Sequence, residues 1–75
     1  MARPATIPRM KITLNGEPRE IDAQRSVLDL LAEAGYAGRR IAVEVNRTIV
    51  PRSEHASRML SAGDHVEIVH AIGGG

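Results

Sequence analysis

The sequence predicts an α+β domain, a mixed sheet packed on one main helix, and three observations carry that expectation. Segments at residues 10–14, 41–45 and 66–72 alternate apolar and polar side chains or run apolar, as strands do. One segment, 27–34, repeats its apolar residues at helical spacing. The chain has 75 residues, enough for one small domain and no more.

The elements follow in order. Residues 1–9, MARPATIPR, hold two prolines and two arginines with no hydrophobic period and read as a flexible N-terminal extension. The domain then runs over residues 10–72. Met10, Ile12 and Leu14 alternate with Lys11 and Thr13 as a strand with one buried face. Asn15-Gly16 takes positive φ readily and closes a hairpin, so Arg19 to Asp22 is the returning strand, with Ile21 pointing inward. Ser26 is placed as an N-cap, with Asp29 three residues on as its capping-box partner. Val27, Leu28, Leu30, Leu31 and Ala34 form the apolar stripe, and Gly35 is suited to end the helix in the left-handed conformation. Ile41 to Val45 is a third strand, Asn46-Arg47 a turn, and Thr48 to Val50 a short fourth strand that Pro51 stops. A short helix or 3₁₀ turn is expected within Ser53 to Leu60, a turn at Ser61 to Asp64, and a last strand from Val66 to Ile72. A final strand pairing beside the first, with one helix on one face, is the ubiquitin-like β-grasp arrangement.

Composition excludes several functions. Ten Lys plus Arg against nine Asp plus Glu give a net charge of +1, too balanced to make nucleic acid or an anionic membrane the expected partner. Tyr36 is the single aromatic residue, so stacking platforms for single-stranded nucleic acid have no material. There is no Cys, hence no disulfide, thiolate zinc site or catalytic cysteine. No apolar run approaches the roughly 20 residues of a membrane helix, and a soluble, cytoplasmic protein is expected.

The side chains offer little for catalysis, and no enzyme is expected. His65 and His70 lie five apart on one strand and face opposite sides of the sheet, so they cannot share a metal; with His55 they read as ordinary surface or half-buried residues. Ser26, Ser53, Ser57 and Ser61 occupy capping or turn positions outside any Gly-x-Ser-x-Gly elbow. Gly35-Tyr36-Ala37-Gly38 followed by Arg39-Arg40 resembles the Gly-x-x-Gly loop of KH domains, which keeps a KH-like nucleic-acid-binding module as one alternative. Against it stands IAVEV at 41–45, which alternates as a strand where a KH domain has a helix.

The end of the sequence, Gly73-Gly74-Gly75, is more informative. With Gly at about 7% per position, three at a specified place arise by chance roughly once in 3,000 sequences. Without Cβ atoms such a flexible tail passes a channel too narrow for side chains. From Ala71 onward it reaches about 16–18 Å. The group it would deliver is an α-carboxylate, ionised at neutral pH with a pKa near about 3.5. Acyl chemistry at that carboxylate needs activation as an acyl-adenylate, and displacement of AMP by sulfur would leave a thiocarboxylate. No phosphate-binding loop is present, so ATP and Mg²⁺ are expected in an adenylating partner and no cofactor in this chain. Ile49, Met59, Leu60, Val69 and Ile72 are candidates for an apolar partner surface on the open face of the sheet.

From Met10 to Gly75 the sequence resembles the ThiS family of ubiquitin-like sulfur carriers in thiamine biosynthesis. The resemblance rests on VEVNRTIVPRSEH from Val43 to His55, the Gly63-Asp64 turn, and the terminal pair Gly74-Gly75. It implies that Gly75 is the residue adenylated by a ThiF-like adenylyltransferase and converted to the thiocarboxylate, with Gly73 and Gly74 as its approach. It also implies sulfur supplied by a donor such as a cysteine desulfurase and delivered to ThiG, the thiazole synthase. The small subunit of molybdopterin synthase, similar in fold and ending, is the alternative within sulfur carriage. The nine-residue lead-in and the third glycine depart from the family pattern.

Overall fold

The structure, a computed structural model, describes residues 8–70. Its strands are β1 (Arg9–Leu14), β2 (Glu17–Asp22), β3 (Ile41–Val45), β4 (Thr48–Val50) and β5 (His65–His70), with one helix, α1 (Val27–Glu33), and a 3₁₀ turn, Arg52–Glu54. The sheet order is β2-β1-β5-β3-β4. β1 and β5 run parallel, and the other neighbours are antiparallel. This is the expected mixed sheet with a single helix, a ubiquitin-like β-grasp fold.

The alternation read from sequence sets the two faces of the sheet. Ile12, Ile21, Val43, Val45, Val66 and Ile68 turn toward α1, whose Val27, Leu30 and Leu31 close the core from above. Lys11, Glu44, Glu67 and Val69 fall on the opposite, open face, because the strand period of two leaves them no other side. Within a domain this small, the seven residues of α1 are too few to be stable alone, and burial of its stripe supplies most of what holds it. Its ends are nonetheless fully capped. The Ser26 hydroxyl accepts from the Asp29 N–H, and the Asp29 carboxylate accepts from the Ser26 N–H, both at 3.0 Å. The N–H groups of Val27 and Leu28 reach the carbonyls of Arg58 and His55. At the other end Gly35, at φ +89°, lets Gly35 and Tyr36 N–H return to the carbonyls of Ala32 and Leu31.

Four boundaries differ from the sequence reading. β1 begins at Arg9, one residue inside the segment read as lead-in, because its guanidinium pairs with Asp22 at 3.1 Å across the hairpin. β2 begins at Glu17 and so contains Pro18, which an edge strand tolerates because the missing N–H would face away from the sheet. The 3₁₀ turn is only three residues long and starts at Arg52. β5 starts at His65, and residues 71 and 72, assigned from sequence to the same strand, lie outside the described residues.

Ser26→Ala should lower stability by about 1 kcal/mol, read as a fall of several degrees in the melting temperature. The Ser26 backbone N–H, together with its hydroxyl, holds the Asp29 carboxyl below its ordinary value of 3.8. A lowered carboxyl pKa adds stability that is fully present above 3.8 and is lost as pH falls through the lowered value. Denaturant titrations between pH 5 and pH 2 should therefore show a shallower acid loss for Asp29→Asn than for the natural chain; equal slopes would contradict the capping box.

Candidate functional site: the end of the central strand

β5 is both the last strand in the chain and the middle strand of the sheet, and two asparagines fix it there. Asn15 and Asn46 open the two hairpin turns at φ 53° and 52°, a left-handed conformation that asparagine adopts more readily than most residues. The Asn15 side-chain oxygen accepts from the Ile68 N–H at 2.8 Å, and its backbone N–H donates to the Val66 carbonyl at 2.9 Å. The Asn46 side-chain oxygen accepts from the His65 N–H at 2.9 Å, and its amide donates to the Asp64 carboxylate at 3.0 Å. Each hairpin thus grips the inserted strand with its own turn residue. Asp64, itself buried, also accepts from the Ser61 N–H at 2.8 Å, which shapes the Gly63-Asp64 turn leading into β5.

The segment Asn46 to Arg52, within the Val43 to His55 stretch that carries the resemblance, is mainly scaffolding. Val50 is buried in the core, and its carbonyl accepts from the Nε2–H of buried His55 at 3.1 Å. Pro51, at φ −61° and ψ 153°, directs the chain into the 3₁₀ turn. Arg52 of this run lines the groove described next, while Asn46 and Arg47 border a depression on the open face.

At its far end β5 delivers the chain beside a cleft. His70 pairs with Ile41 on β3, and its ring lies 6.5 Å from that of Tyr36 in the loop after α1. Both partners line a groove of about 190 Å³ with Leu28 and Leu31 along its floor and Arg39 and Arg52 at its rim. A larger, shallow depression of about 830 Å³ lies on the open face around Glu44, Arg47, His65 and Glu67. It sits toward the opposite end of β5 from His70, about 16 Å away at strand spacing, and so does not touch the last described residue of that strand. Glu44 and Glu67 face one another directly across β3 and β5 there, with no Lys or Arg within salt-bridge distance among the described residues. The sequence reading passed over this juxtaposition, the two asparagine grips and the groove, since each joins residues far apart in the chain.

The expected apolar partner surface is corrected in part. Leu60 is only 5% exposed and belongs to the core, because its N–H bonds the Arg25 carbonyl and draws the segment against the start of α1. Met59, 48% exposed, lies on that same segment, bridged to Ser26, and not on a strand of the open face. Ile49 and Val69 are exposed and do occupy the open face. Ile72 and Gly73, Gly74 and Gly75 lie outside the described residues.

The Gly35-to-Gly38 loop joins α1 to a strand, whereas a KH loop joins two helices, so the KH-like alternative is overturned by topology. His65 lies on the open face, 2.7 Å from the Thr13 hydroxyl, and His70 on the helix side. Ser26 caps α1, and the Ser57 hydroxyl donates to the Glu54 carbonyl at 3.3 Å, so both are spent on local backbone. Among the described residues no helix is long and apolar enough to cross a membrane.

A mixed five-stranded sheet with its last strand in the middle and one helix on one face defines the class of small β-grasp domains. Comparison with known proteins gives the family. The model of the ThiS family matches residues 12–75, and the chain belongs to that family. It is 47% identical over 66 residues to a thiazole synthase of Paramagnetospirillum magneticum and 42% identical to one of Magnetococcus marinus, in each case over 88% of this chain. The matched region is 20% of each of those proteins, so the chain spans about a fifth of their length. The crystal structure of the thiamine biosynthesis protein ThiS from Geobacter metallireducens superposes with a TM-score of 0.78 at 30% identity, covering 88% of this chain and all of that one. The domain is of the ThiS type.

Asn46→Ala should cost about 2 kcal/mol or more, since it removes two side-chain bonds to the start of β5 and places a Cβ residue without local hydrogen bonding at left-handed φ. Thermal unfolding should show a drop of roughly 10 °C. Arg47→Gly, which relieves the left-handed backbone at φ 69°, should leave the melting temperature unchanged or raise it.

Proposed function

We propose that this chain carries sulfur on the carboxyl group of Gly75 for formation of the thiazole ring in thiamine biosynthesis. The observation that carries the proposal is the family match, which runs through residue 75 and so includes the three glycines beyond β5. The thiazole branch is preferred to molybdenum-cofactor synthesis because the relatives and the structural neighbour bear thiazole synthase and thiamine biosynthesis names.

The chemistry follows from the poor electrophilicity of a carboxylate. An oxygen of the Gly75 carboxylate attacks the α-phosphate of ATP held with Mg²⁺ by a ThiF-like adenylyltransferase, and pyrophosphate leaves. The acyl-adenylate then accepts sulfur at its carbonyl carbon: a C–S bond forms, the bond to AMP oxygen breaks, and AMP departs. When the sulfur arrives as a persulfide from a cysteine desulfurase, the product is an acyl disulfide, and a thiol supplies the two electrons that free the thiocarboxylate. That group then delivers sulfur to a ThiG-type thiazole synthase. The contribution of this chain is positional. β5, the middle strand, holds His70 in the body of the sheet, and residues without side chains let the carboxyl group enter an enclosed site.

Incubation with the adenylyltransferase, ATP and a sulfur donor should shift the intact mass by one sulfur in exchange for one oxygen, with the change located at Gly75 by fragmentation. Removal of Gly74 and Gly75 should abolish the shift and leave thermal unfolding unaltered. A truncated chain that still delivers sulfur would refute the assignment of the terminus.

A further inference from the structure

The helix-side groove next to His70 is built from parts that the fold does not need in that form. Val27, Leu30 and Leu31 of the α1 stripe are buried, but Leu28 is 47% exposed and faces the groove. Tyr36 and Ile41 continue the apolar floor to the edge of the sheet. Arg39 and Arg52 approach the rim from two separate elements, the loop after α1 and the 3₁₀ turn. Neither guanidinium has a carboxylate within salt-bridge distance among the described residues, and no acidic residue lines the groove. By contrast Arg9 and Arg25, elsewhere on the surface, are paired with Asp22. The site therefore joins apolar surface to two free positive charges, complementary to an apolar side chain with a carboxylate beside it.

Position selects the occupant. Ile41 and Tyr36 both border the groove and both adjoin His70, the last described residue of β5. An enzyme that takes up the segment after His70 must seat itself against this edge of the sheet, and the groove is continuous with that footing.

We propose that the groove formed by Leu28, Leu31, Tyr36 and Ile41, with Arg39 and Arg52 at its rim, docks a segment of the thiazole synthase that carries an acidic residue next to an apolar one. This rests on the function proposed above, to which it adds the surface that holds the acceptor enzyme. The apolar residue displaces water from the floor, and the carboxylate accepts hydrogen bonds from the guanidinium groups. Docking here seats the enzyme beside His70, and the two arginines tie the affinity to ionic strength.

The test is calorimetric titration of the full chain with the thiazole synthase of its source organism, at low and at high salt. Arg39→Glu/Arg52→Glu should weaken binding about tenfold at low salt and remove most of the salt dependence seen for the natural chain. Leu28→Asp should weaken it comparably. Lys11→Glu/Arg19→Glu, matched in charge change but remote from the groove, should bind within about twofold of the natural chain; circular dichroism and melting confirm that each variant is folded. An unchanged affinity in the groove variants, an equal loss in the Lys11/Arg19 control, or no binding by the natural chain would each overturn the proposal. So would sedimentation showing that the groove variants dissociate a dimer of the free chain, because the occupant would then be a second copy. Sulfur loading of the natural chain, followed by mass, separates the two ideas. Loading with unaffected docking refutes the groove alone, and groove-dependent docking without loading refutes the carrier chemistry alone.

Discussion

The fold depends on the insertion of one strand. β5 lies between β1 and β3, and before it arrives the molecule is two separate hairpins with a helix between them. Isolated hairpins are marginal in water, so neither half has an independent claim to stability. The parallel seam to β1 is short, with only Thr13 and Leu14 in register with His65 and Val66. Asn15 extends it, because its side-chain oxygen bonds the Ile68 N–H at a place where β1 has already turned away. Asn46 closes the matching corner of the antiparallel seam. Turn geometry and strand capture are one requirement in these residues: the left-handed backbone that reverses each hairpin also aims its side chain at β5.

The same strand joins the core to both faces of the sheet. Val66 and Ile68 complete the layer under α1, and His65, Glu67 and Val69 face outward. At its end the strand passes between the loop after α1 and the start of β3, where His70 meets Tyr36 and Ile41. Gly35 governs that corner from a distance, since its left-handed conformation ends α1 and returns Tyr36 to bond Leu31. The helix cap, the groove floor and the surroundings of His70 are therefore set by one local arrangement.

Much of this is legible in the sequence, for identifiable reasons. Strands with one buried face must alternate, so Ile12, Val43 and Val45 announce their orientation, and Ser26 with Asp29 announces where α1 begins. Asn15-Gly16 declares a turn by its chemistry. What stays hidden is what depends on separation in the chain. Leu60 has the composition of a surface anchor as readily as of a core residue, and only its hydrogen bond to Arg25, thirty-five positions away, assigns it to the core. Pro18 argues locally against a strand, yet an edge position removes the objection. Of the candidate site, the glycines and the Asn46 to Arg52 run stand out in one dimension. The facing of Glu44 on Glu67, and the meeting of Arg39 and Arg52 at one groove, exist only in three.

A tension applied at His70 acts lengthwise along β5, which is flanked on both sides, by β1 running the same way and β3 running the opposite way. The hydrogen bonds to β1 and β3 then share the load in shear, whereas an edge strand such as β4 would peel away one bond at a time. A strand anchored in this manner resists a lengthwise pull as a unit, so the body keeps its shape under a load applied at that point.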